Sequence, residues 1–319
     1  MEDYRAPWWL PGGNLQTIWA AKLARRPLLP SYRRERWDTP DGDFVDVDFA
    51  DAAPAAPLLV LFHGLEGRSD SHYAVAFGEA ARQRGWNYAV PHFRGCSGEL
   101  NRAPRAYHSG DFEDVGWMLG RLRERSPAPL LAAGVSLGGN ALLRWAEESG
   151  SAAAATAAAV AAVSSPIDLA AAGRAIDRGF NRQVYARMFL STMKPKALAK
   201  LRRYPGLFDA GRVARATTLF EFDDAFTAPL HGFAGTEDYW ARASAKPRLA
   251  DIRIPALVVN GDNDPFVPGR SLPHAGEVGR CVTLWQPRHG GHVGFPAGGF
   301  PAQVLAMPEA VANWLASHR

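Results

Sequence analysis

The strongest constraint on the fold is the alternation of short apolar runs with helical patterns from residue 33 onward. Residues 57–63 form a continuous apolar run that stops at Gly64, which is typical of a strand buried on both faces. Further strands are predicted at residues 36–38, 44–49, 86–93, 130–135, 157–164, 256–260 and 281–286. Strands that alternate with helices predict an α/β fold, with a mostly parallel eight-stranded sheet and helices on both faces.

This alternation lapses between Ser165 and Pro247, where helical segments of mixed charge occupy residues 181–193 and 197–204. We interpret residues 165–247 approximately as a helical cap inserted after strand 6, because long insertions often cover active sites. The alternative is that these helices only pack on the edge of the sheet. We expect residues 1–32 to form an N-terminal arm and residues 33–319 to form one domain that carries the cap.

Composition and charge exclude several classes of protein. The 36 Lys and Arg are scattered and the formal net charge is only +4, which indicates no nucleic-acid footprint and allows a weak attraction to anionic membranes. Two distant cysteines, Cys96 and Cys281, predict free thiols in a reducing compartment. The start lacks the pattern of a signal peptide, and the most apolar segment is too short to span a bilayer. The default expectation is a soluble, cytoplasmic enzyme.

The motif with the most chemical content is GVSLG at residues 134–138, which follows a buried strand and precedes a helical pattern. This is the nucleophile-elbow pattern, in which a serine sits on a sharp turn and glycines two residues away avoid steric collisions. The helix that follows directs its N-terminal amides at the site and favours developing negative charge. We therefore predict that Ser136 is a nucleophile.

A serine nucleophile needs a base, and the base needs an orienting carboxylate. Where this elbow occurs, the partners follow in the order Ser, acid, His. Asp264 follows the strand at residues 256–260 and is the preferred acid, with Asp262 as the alternative that more plausibly caps the turn. Asp168 is a more distant alternative, and we expect it to cap a helix.

The base is predicted in the loop after the last strand. His292 follows Gly290 and Gly291, which let the loop bend back over the sheet, and it is preferred to His289. The oxyanion formed during acyl transfer needs two backbone donors. We predict the amides of Leu137, next to the nucleophile, and of Leu65, in the loop after the third strand.

Eight segments together resemble the YheT-like hydrolases of the α/β-hydrolase superfamily, which are related to the AB-hydrolase-domain lipases. They are NLQTIW (14–19), HGLEG (63–67), FRGCSG (93–98), YHSG (107–110), GVSLGGN (134–140), FDD (222–224), DPF (264–266) and HGGHVGF (289–295). The resemblance covers nearly the whole chain. It implies a catalytic triad on Ser136, Asp264 and His292, and carboxylic-ester substrates such as short-chain esters, monoacylglycerols or phospholipids.

Several neighbouring residues have weaker interpretations. His63, His108 and His289 are candidates for contacts that support the triad, and for His108 we favour fixing loop geometry over binding substrate or water. We expect Cys96 to be structural and Arg94 to tie loops together through its planar donors. Cap side chains suggest an apolar pocket; they are Phe180, Tyr185, Phe189 and Phe226.

The N-terminal arm combines Trp8, Trp9 and Trp19 with Lys22, Arg25 and Arg26. Packing over the body of the enzyme is the favoured interpretation, and contact with a membrane surface is the alternative. No metal constellation or phosphate-binding Gly-rich loop is apparent, so we expect neither a metal nor another cofactor.

We therefore hypothesise that the protein is a serine hydrolase that cleaves small-molecule or lipid esters through an acyl-enzyme. An acyltransferase that uses the same triad and a non-catalytic binding protein on the same fold are the two rivals. The sequence predicts no oligomeric state.

Overall fold

A computed structural model of the protein describes residues 4–318, and its centre is one eight-stranded sheet. The strands are β1 (Arg33–Asp38), β2 (Phe44–Ala50), β3 (Leu58–Phe62), β4 (Asn87–Pro91), β5 (Leu130–Val135), β6 (Ala159–Val163), β7 (Ala256–Val259) and β8 (Val282–Trp285). Their order across the sheet is β1-β2-β4-β3-β5-β6-β7-β8. The β1–β2 and β2–β4 pairs are antiparallel and the other pairs are parallel. The predicted α/β fold with a mostly parallel sheet is therefore confirmed.

Helices connect the strands and cover both faces of the sheet. They are α1 (Gly13–Lys22), α2 (His72–Gln83), α3 (Phe112–Arg125), α4 (Leu137–Ser149), α5 (Leu169–Ile176), α6 (Gly179–Asn181), α7 (Arg187–Arg203), α8 (Ala210–Arg215), α9 (Leu219–Phe222), α10 (Ala228–Leu230), α11 (Thr236–Ala243) and α12 (Ala306–Ala316). Short 3-10 segments lie at Gly150–Ala155, Lys246–Asp251, Gly269–Ser271 and Ala275–Glu277. Among residues 4–318, no helix has the length and apolarity that a bilayer crossing requires.

The alternation of side chains along a strand builds one apolar core on each face of the sheet. In β5, Leu130 and Ala132 pack with α3 and α4, whereas Leu131 and Ala133 pack with α2 and α12. Burying each such leucine contributes about 1.5–3 kcal/mol relative to an exposed one. A strand buried on both faces must be apolar throughout, which is the reason that these strands read as continuous apolar runs.

The segment between β6 and β7 is helical and has an apolar core of its own, which it shares with Phe266 and Val267 beyond β7. Here α6, the π-helical turn Arg182–Ala186 and α7 follow one another without a break. The segments predicted as helical, residues 181–193 and 197–204, are helical as far as Arg203, but no break separates them, and Pro195 lies inside α7. Proline removes one backbone donor from a helix, and the buried residues Leu190 and Ala197 on either side of it keep the helix packed.

The parallel strands end at one edge of the sheet, and the loops that carry the predicted site residues leave from this edge. Ser136 directly follows β5, Asp264 lies in the loop after β7, and His292 lies in the loop after β8. Asp168, after β6, caps α5 as predicted, since its carboxylate accepts a hydrogen bond from the Ala171 amide at 2.9 Å. Ligand sites in open α/β sheets form at this carboxyl edge.

Candidate active site

Ser136 sits on a strained turn between β5 and α4. Its backbone has φ 53° and ψ −122°, a conformation that non-glycine residues rarely adopt. A Cβ atom on Gly134 would lie 2.5 Å from the Gly138 carbonyl oxygen, and one on Gly138 would lie 2.4 Å from the His63 carbonyl oxygen. Both glycines are therefore required by close backbone approach, and the turn presents the Ser136 hydroxyl at the edge of the sheet.

The Asp264 carboxylate is buried and held by backbone donors of its own loop. Its Oδ1 accepts hydrogen bonds from the Phe266 amide at 2.7 Å and the Val267 amide at 3.2 Å. These bonds point the carboxylate inward at the end of β7. The alternative acid, Asp262, has an exposed side chain, and the turn is instead closed by the Asp264 amide donating to the Gly261 carbonyl at 3.0 Å.

His292 lies between the carboxylate and the serine hydroxyl. Its Nδ1 is 2.9 Å from Asp264 Oδ2, and its Nε2 is 3.0 Å from Ser136 Oγ. Because an ionised carboxylate can only accept, Nδ1–H is the donor to Asp264, which leaves Nε2 free to accept the serine proton. The Phe266 ring packs on the imidazole with its centroid 4.1 Å away and restricts the ring's rotation. This arrangement can transfer a proton from Ser136 to His292.

Helix α1 holds the loop that carries His292. The Thr17 hydroxyl accepts a hydrogen bond from the His292 amide at 2.8 Å, and Gln16 Oε1 accepts one from the Gly290 amide at 3.0 Å. Asn263, next to the acid, accepts from the Gly291 amide at 3.0 Å and donates to the same Gln16 oxygen at 3.0 Å. Sequence reasoning did not assign these roles. The available signal was the pair of polar residues Gln16 and Thr17 between the apolar residues Leu15 and Ile18.

The two residues predicted to supply oxyanion donors, Leu65 and Leu137, line the same cavity. Within residues 4–318, the amides of Leu65 and Leu137 have no protein acceptor, whereas the Glu66 amide donates to the Tyr107 hydroxyl at 2.9 Å. His63 also holds the loop after β3 that carries Leu65. Its Nε2 accepts a hydrogen bond from the Phe93 amide at 3.0 Å, and its Nδ1–H donates to the Gly64 carbonyl at 2.8 Å. Burial lowers the pKa of His63 to about 3, so its ring is neutral.

The other predicted histidines lie in different surroundings. His108 Nδ1 accepts a hydrogen bond from the Gly110 amide at 3.1 Å, and its ring packs 4.5 Å from that of His231 at the wall of the cavity. Its geometry fits a loop-fixing role. His289 has an exposed side chain, and its peptide group rather than its ring lies against Gly261.

Cys96 and Arg94 have structural surroundings. Cys96 is fully buried, and burial raises the pKa of its thiol to about 12. Arg94 spans two elements, since it donates to Asp114 of α3 at 2.6 Å and to Asp43 before β2 at 2.8 Å. The predicted role of Arg94 in tying loops together is confirmed by these ion pairs.

The cavity that Leu65 and Leu137 line lies between the sheet edge and the helical segment, with a volume of about 70 Å³, and it reaches the residue next to Ser136. Apolar side chains form part of its wall; they include Leu100, Ala106, Met193, Phe222 and Phe226. Of the four side chains predicted to form an apolar pocket, Phe226 lines this cavity. The prediction is wrong for the other three, because Phe180 is 54% exposed and Tyr185 and Phe189 pack in or against the core of the helical segment. Asp223 and Lys200 of the helical segment also line the cavity. Burial raises the pKa of Asp223 to about 6 and lowers the pKa of Lys200 to about 8.

Comparison with known proteins identifies hydrolases as relatives. The pattern of the alpha/beta hydrolase fold family matches residues 57–298. YheT of Escherichia coli strain K12 is 39% identical over 96% of this chain and 90% of YheT, and human phospholipase ABHD3 is 30% identical over 96% of this chain and 76% of its own length. The solved esterase Pf2001 of Pyrococcus furiosus has a TM-score of 0.57 at 15% identity, covering 92% of this chain and 97% of the esterase. At that identity the likeness supports the fold alone.

Proposed function

Because the chain belongs to the α/β hydrolase family, we propose that it is a serine hydrolase that cleaves carboxylic esters. The observation that carries the proposal is the position of the His292 ring, one hydrogen bond from Ser136 Oγ and one from Asp264. This is the relation that a serine nucleophile, its general base and the orienting carboxylate require.

The proposed reaction begins with attack of Ser136 Oγ on the ester carbonyl while His292 Nε2 takes the hydroxyl proton. The amides of Leu65 and Leu137 would stabilise the negative charge that develops on the carbonyl oxygen. His292 then returns the proton to the departing alcohol, and an acyl group remains on Ser136. Water, deprotonated by the same imidazole, attacks the acyl-enzyme and releases the acid. Asp264 stays ionised throughout and keeps Nδ1 protonated.

The substrate class follows from the relatives and the cavity. One relative is named a phospholipase, which supports a lipid-derived ester as substrate. The cavity volume of about 70 Å³ is about half of the roughly 150 Å³ that holds one benzene molecule in an engineered apolar cavity. We therefore expect short acyl groups to react faster than long ones unless the cap moves away from the sheet.

The test is hydrolysis of p-nitrophenyl esters of increasing acyl length by the wild-type chain and by Ser136→Ala. We expect Ser136→Ala to lose about 10⁴-fold or more in kcat, with the exposed Ser191→Ala as a matched control that retains activity. A fluorophosphonate should label Ser136, as read by peptide mass spectrometry. Equal hydrolysis by Ser136→Ala would contradict the proposed mechanism.

The same assays separate the two rivals. An acyltransferase would form a new ester when an acceptor alcohol is added, at the expense of the free acid. A non-catalytic binding protein would hydrolyse none of the esters, and its Ser136 would resist the fluorophosphonate although the chain is folded.

A further inference from the structure

The outward side of α1 is apolar although its inward side binds the loop of His292. Leu15 and Leu23, eight residues apart on this helix, are exposed, and Trp19 lies between them. Trp19 contacts Trp9 with ring centroids 5.1 Å apart and Phe300 with centroids 5.8 Å apart. Phe300 is 75% exposed, and Trp8, next to Trp9, is 91% exposed. Large apolar side chains in such numbers on one surface need an explanation.

The cap carries a second exposed apolar stripe. Phe180, Val184 and Met188 are spaced four residues apart along the continuous helical run 179–203, and all three are exposed. This side of the run faces away from the cap core, which contains Tyr185, Ala186 and Leu190.

The two stripes meet where the arm contacts the cap, and Ile18 of α1 also packs against the cap core there. The Tyr185 hydroxyl donates a hydrogen bond to Asn14 Oδ1 at 2.9 Å, next to Leu15. The Phe180 ring packs against the Tyr185 ring with centroids 6.1 Å apart. We call the joined surface the apolar face; it consists of Trp8, Leu15, Leu23 and Phe300 with Phe180, Val184 and Met188.

Exposed cations flank the apolar face at both sides. Lys22, Arg25 and Arg26 lie at the end of α1 and just after it, and Arg178, Arg182 and Arg187 lie on or beside the cap run. Within the described residues, none of these six side chains forms an ion pair with a carboxylate. The surface therefore has uncompensated positive charge next to exposed aromatic and aliphatic side chains.

We propose that the apolar face docks on the surface of a bilayer that contains anionic phospholipids. Apolar and aromatic side chains enter the boundary between headgroups and acyl chains, and the flanking Lys and Arg pair with lipid phosphates. A second copy of the chain is a poorer occupant, since a two-fold dimer through this face would place the cations of each copy opposite the same cations of the other. The docking does not depend on the proposed ester hydrolysis.

The test is co-sedimentation of the full chain with vesicles, without substrate. We expect the chain to pellet with vesicles of phosphatidylcholine and phosphatidylglycerol, and much less with phosphatidylcholine alone. Replacing Lys22, Arg178 and Arg187 by Gln should weaken binding by about fivefold per charge, and added salt should weaken it further. The matched control is Arg253→Gln with Arg280→Gln, which lie just before β7 and β8 at the opposite edge of the sheet.

The apolar contribution is tested with a second pair of variants. Leu15→Ser, Phe180→Ser and Met188→Ser together should lose binding to the mixed vesicles by tenfold or more, whereas Leu15→Met, Phe180→Leu and Met188→Leu should retain it. Circular dichroism checks that each variant is folded. The proposal is overturned if the wild-type chain does not bind the mixed vesicles, or if the control variants lose as much binding as the test variants. It is also overturned if sedimentation equilibrium shows a dimer that the serine variants dissociate.

Discussion

At the residue scale, the loop at residues 63–67, which we propose supplies one oxyanion donor, depends on contacts from side chains outside it. The Tyr107 hydroxyl accepts the Glu66 amide proton at 2.9 Å and donates to Glu66 Oε1 at 3.0 Å, and Lys196 of the cap pairs with the other carboxylate oxygen at 2.8 Å. Glu66 itself has φ 57°, in the left-handed region. These contacts, and not the intrinsic backbone preference of Glu66, therefore fix the orientation of the neighbouring Leu65 amide.

Tyr107→Phe should lower kcat by about 10- to 100-fold and change KM little, because the Glu66 amide loses its acceptor and the loop relaxes away from the oxyanion position. Steady-state kinetics with a soluble ester measures this effect. The matched control is Tyr88→Phe, whose hydroxyl donates to the Ala74 carbonyl in the core on the other face of the sheet. An unchanged kcat for Tyr107→Phe would show that Tyr107 does not position the loop.

His63 predicts a dependence of stability on pH. Because burial lowers its pKa from 6.5 to about 3, the unfolded chain takes up a proton near pH 6.5 that the folded chain does not take up until about pH 3. The free energy of unfolding should therefore fall as pH falls, by about 2 kcal/mol from this group between pH 7 and pH 5. Urea unfolding of the wild type and of His63→Asn at both pH values measures the difference. The same pH dependence in both proteins would refute the assignment.

At the scale of single elements, α1 has two distinct faces. One face supplies Gln16 and Thr17, which bind the loops of His292 and Asp264, and the other face is exposed and apolar. The helix therefore holds the loops that carry His292 and Asp264, while its outer surface is exposed to solvent and can make another contact.

Thr17→Val should lower kcat by about tenfold or more, because valine keeps the shape of threonine but cannot accept the His292 amide proton. Binding of a fluorophosphonate to Ser136 should slow by a similar factor. Thr192→Val is the matched control, since the Thr192 hydroxyl donates only to the Phe189 carbonyl on the exposed side of α7. If both variants react like the wild type, α1 has no influence on the base.

At the scale of the whole molecule, Arg94 connects the antiparallel end of the sheet, at β1 and β2, to helix α3. It bonds Asp41 and Asp43 in the turn between β1 and β2, and Asp114 in α3. Its guanidinium is almost fully buried, so its partners would be left as uncompensated charges without it.

Arg94→Met should lower the free energy of unfolding by about 3–5 kcal/mol, measured by urea denaturation. Arg33→Met, which removes an ion pair to Asp51 at the surface, should have a far smaller effect. Comparable losses for the two variants would argue against a special contribution from the buried network.

Much of the fold was predictable from local patterns. Most strands follow from apolar runs. The exception is β1, which is mostly exposed and begins at Arg33, three residues before its predicted start. Several other predicted strands exceed the observed ones by one or two residues, as for residues 57–63 against Leu58–Phe62. The extra residues belong to the loops where the sheet ladder has already ended. The continuity of the helical run through Pro195 was not predicted, and the local cost of this proline is outweighed by packing of the cap.

The sequence by itself determined the succession of strands and helices along the chain. It also determined the turn at Ser136 and the loops that could carry an acid and a base. Each of these features depends on residues that are close together in the chain. Only the tertiary structure decided which groups hold those loops. Gln16 and Gly290 are 274 positions apart, and no periodicity connects them. The apolar face could likewise be found only in the tertiary structure. From the sequence alone, apolar side chains of the arm and the cap are expected in the core, whereas in the folded chain they are exposed.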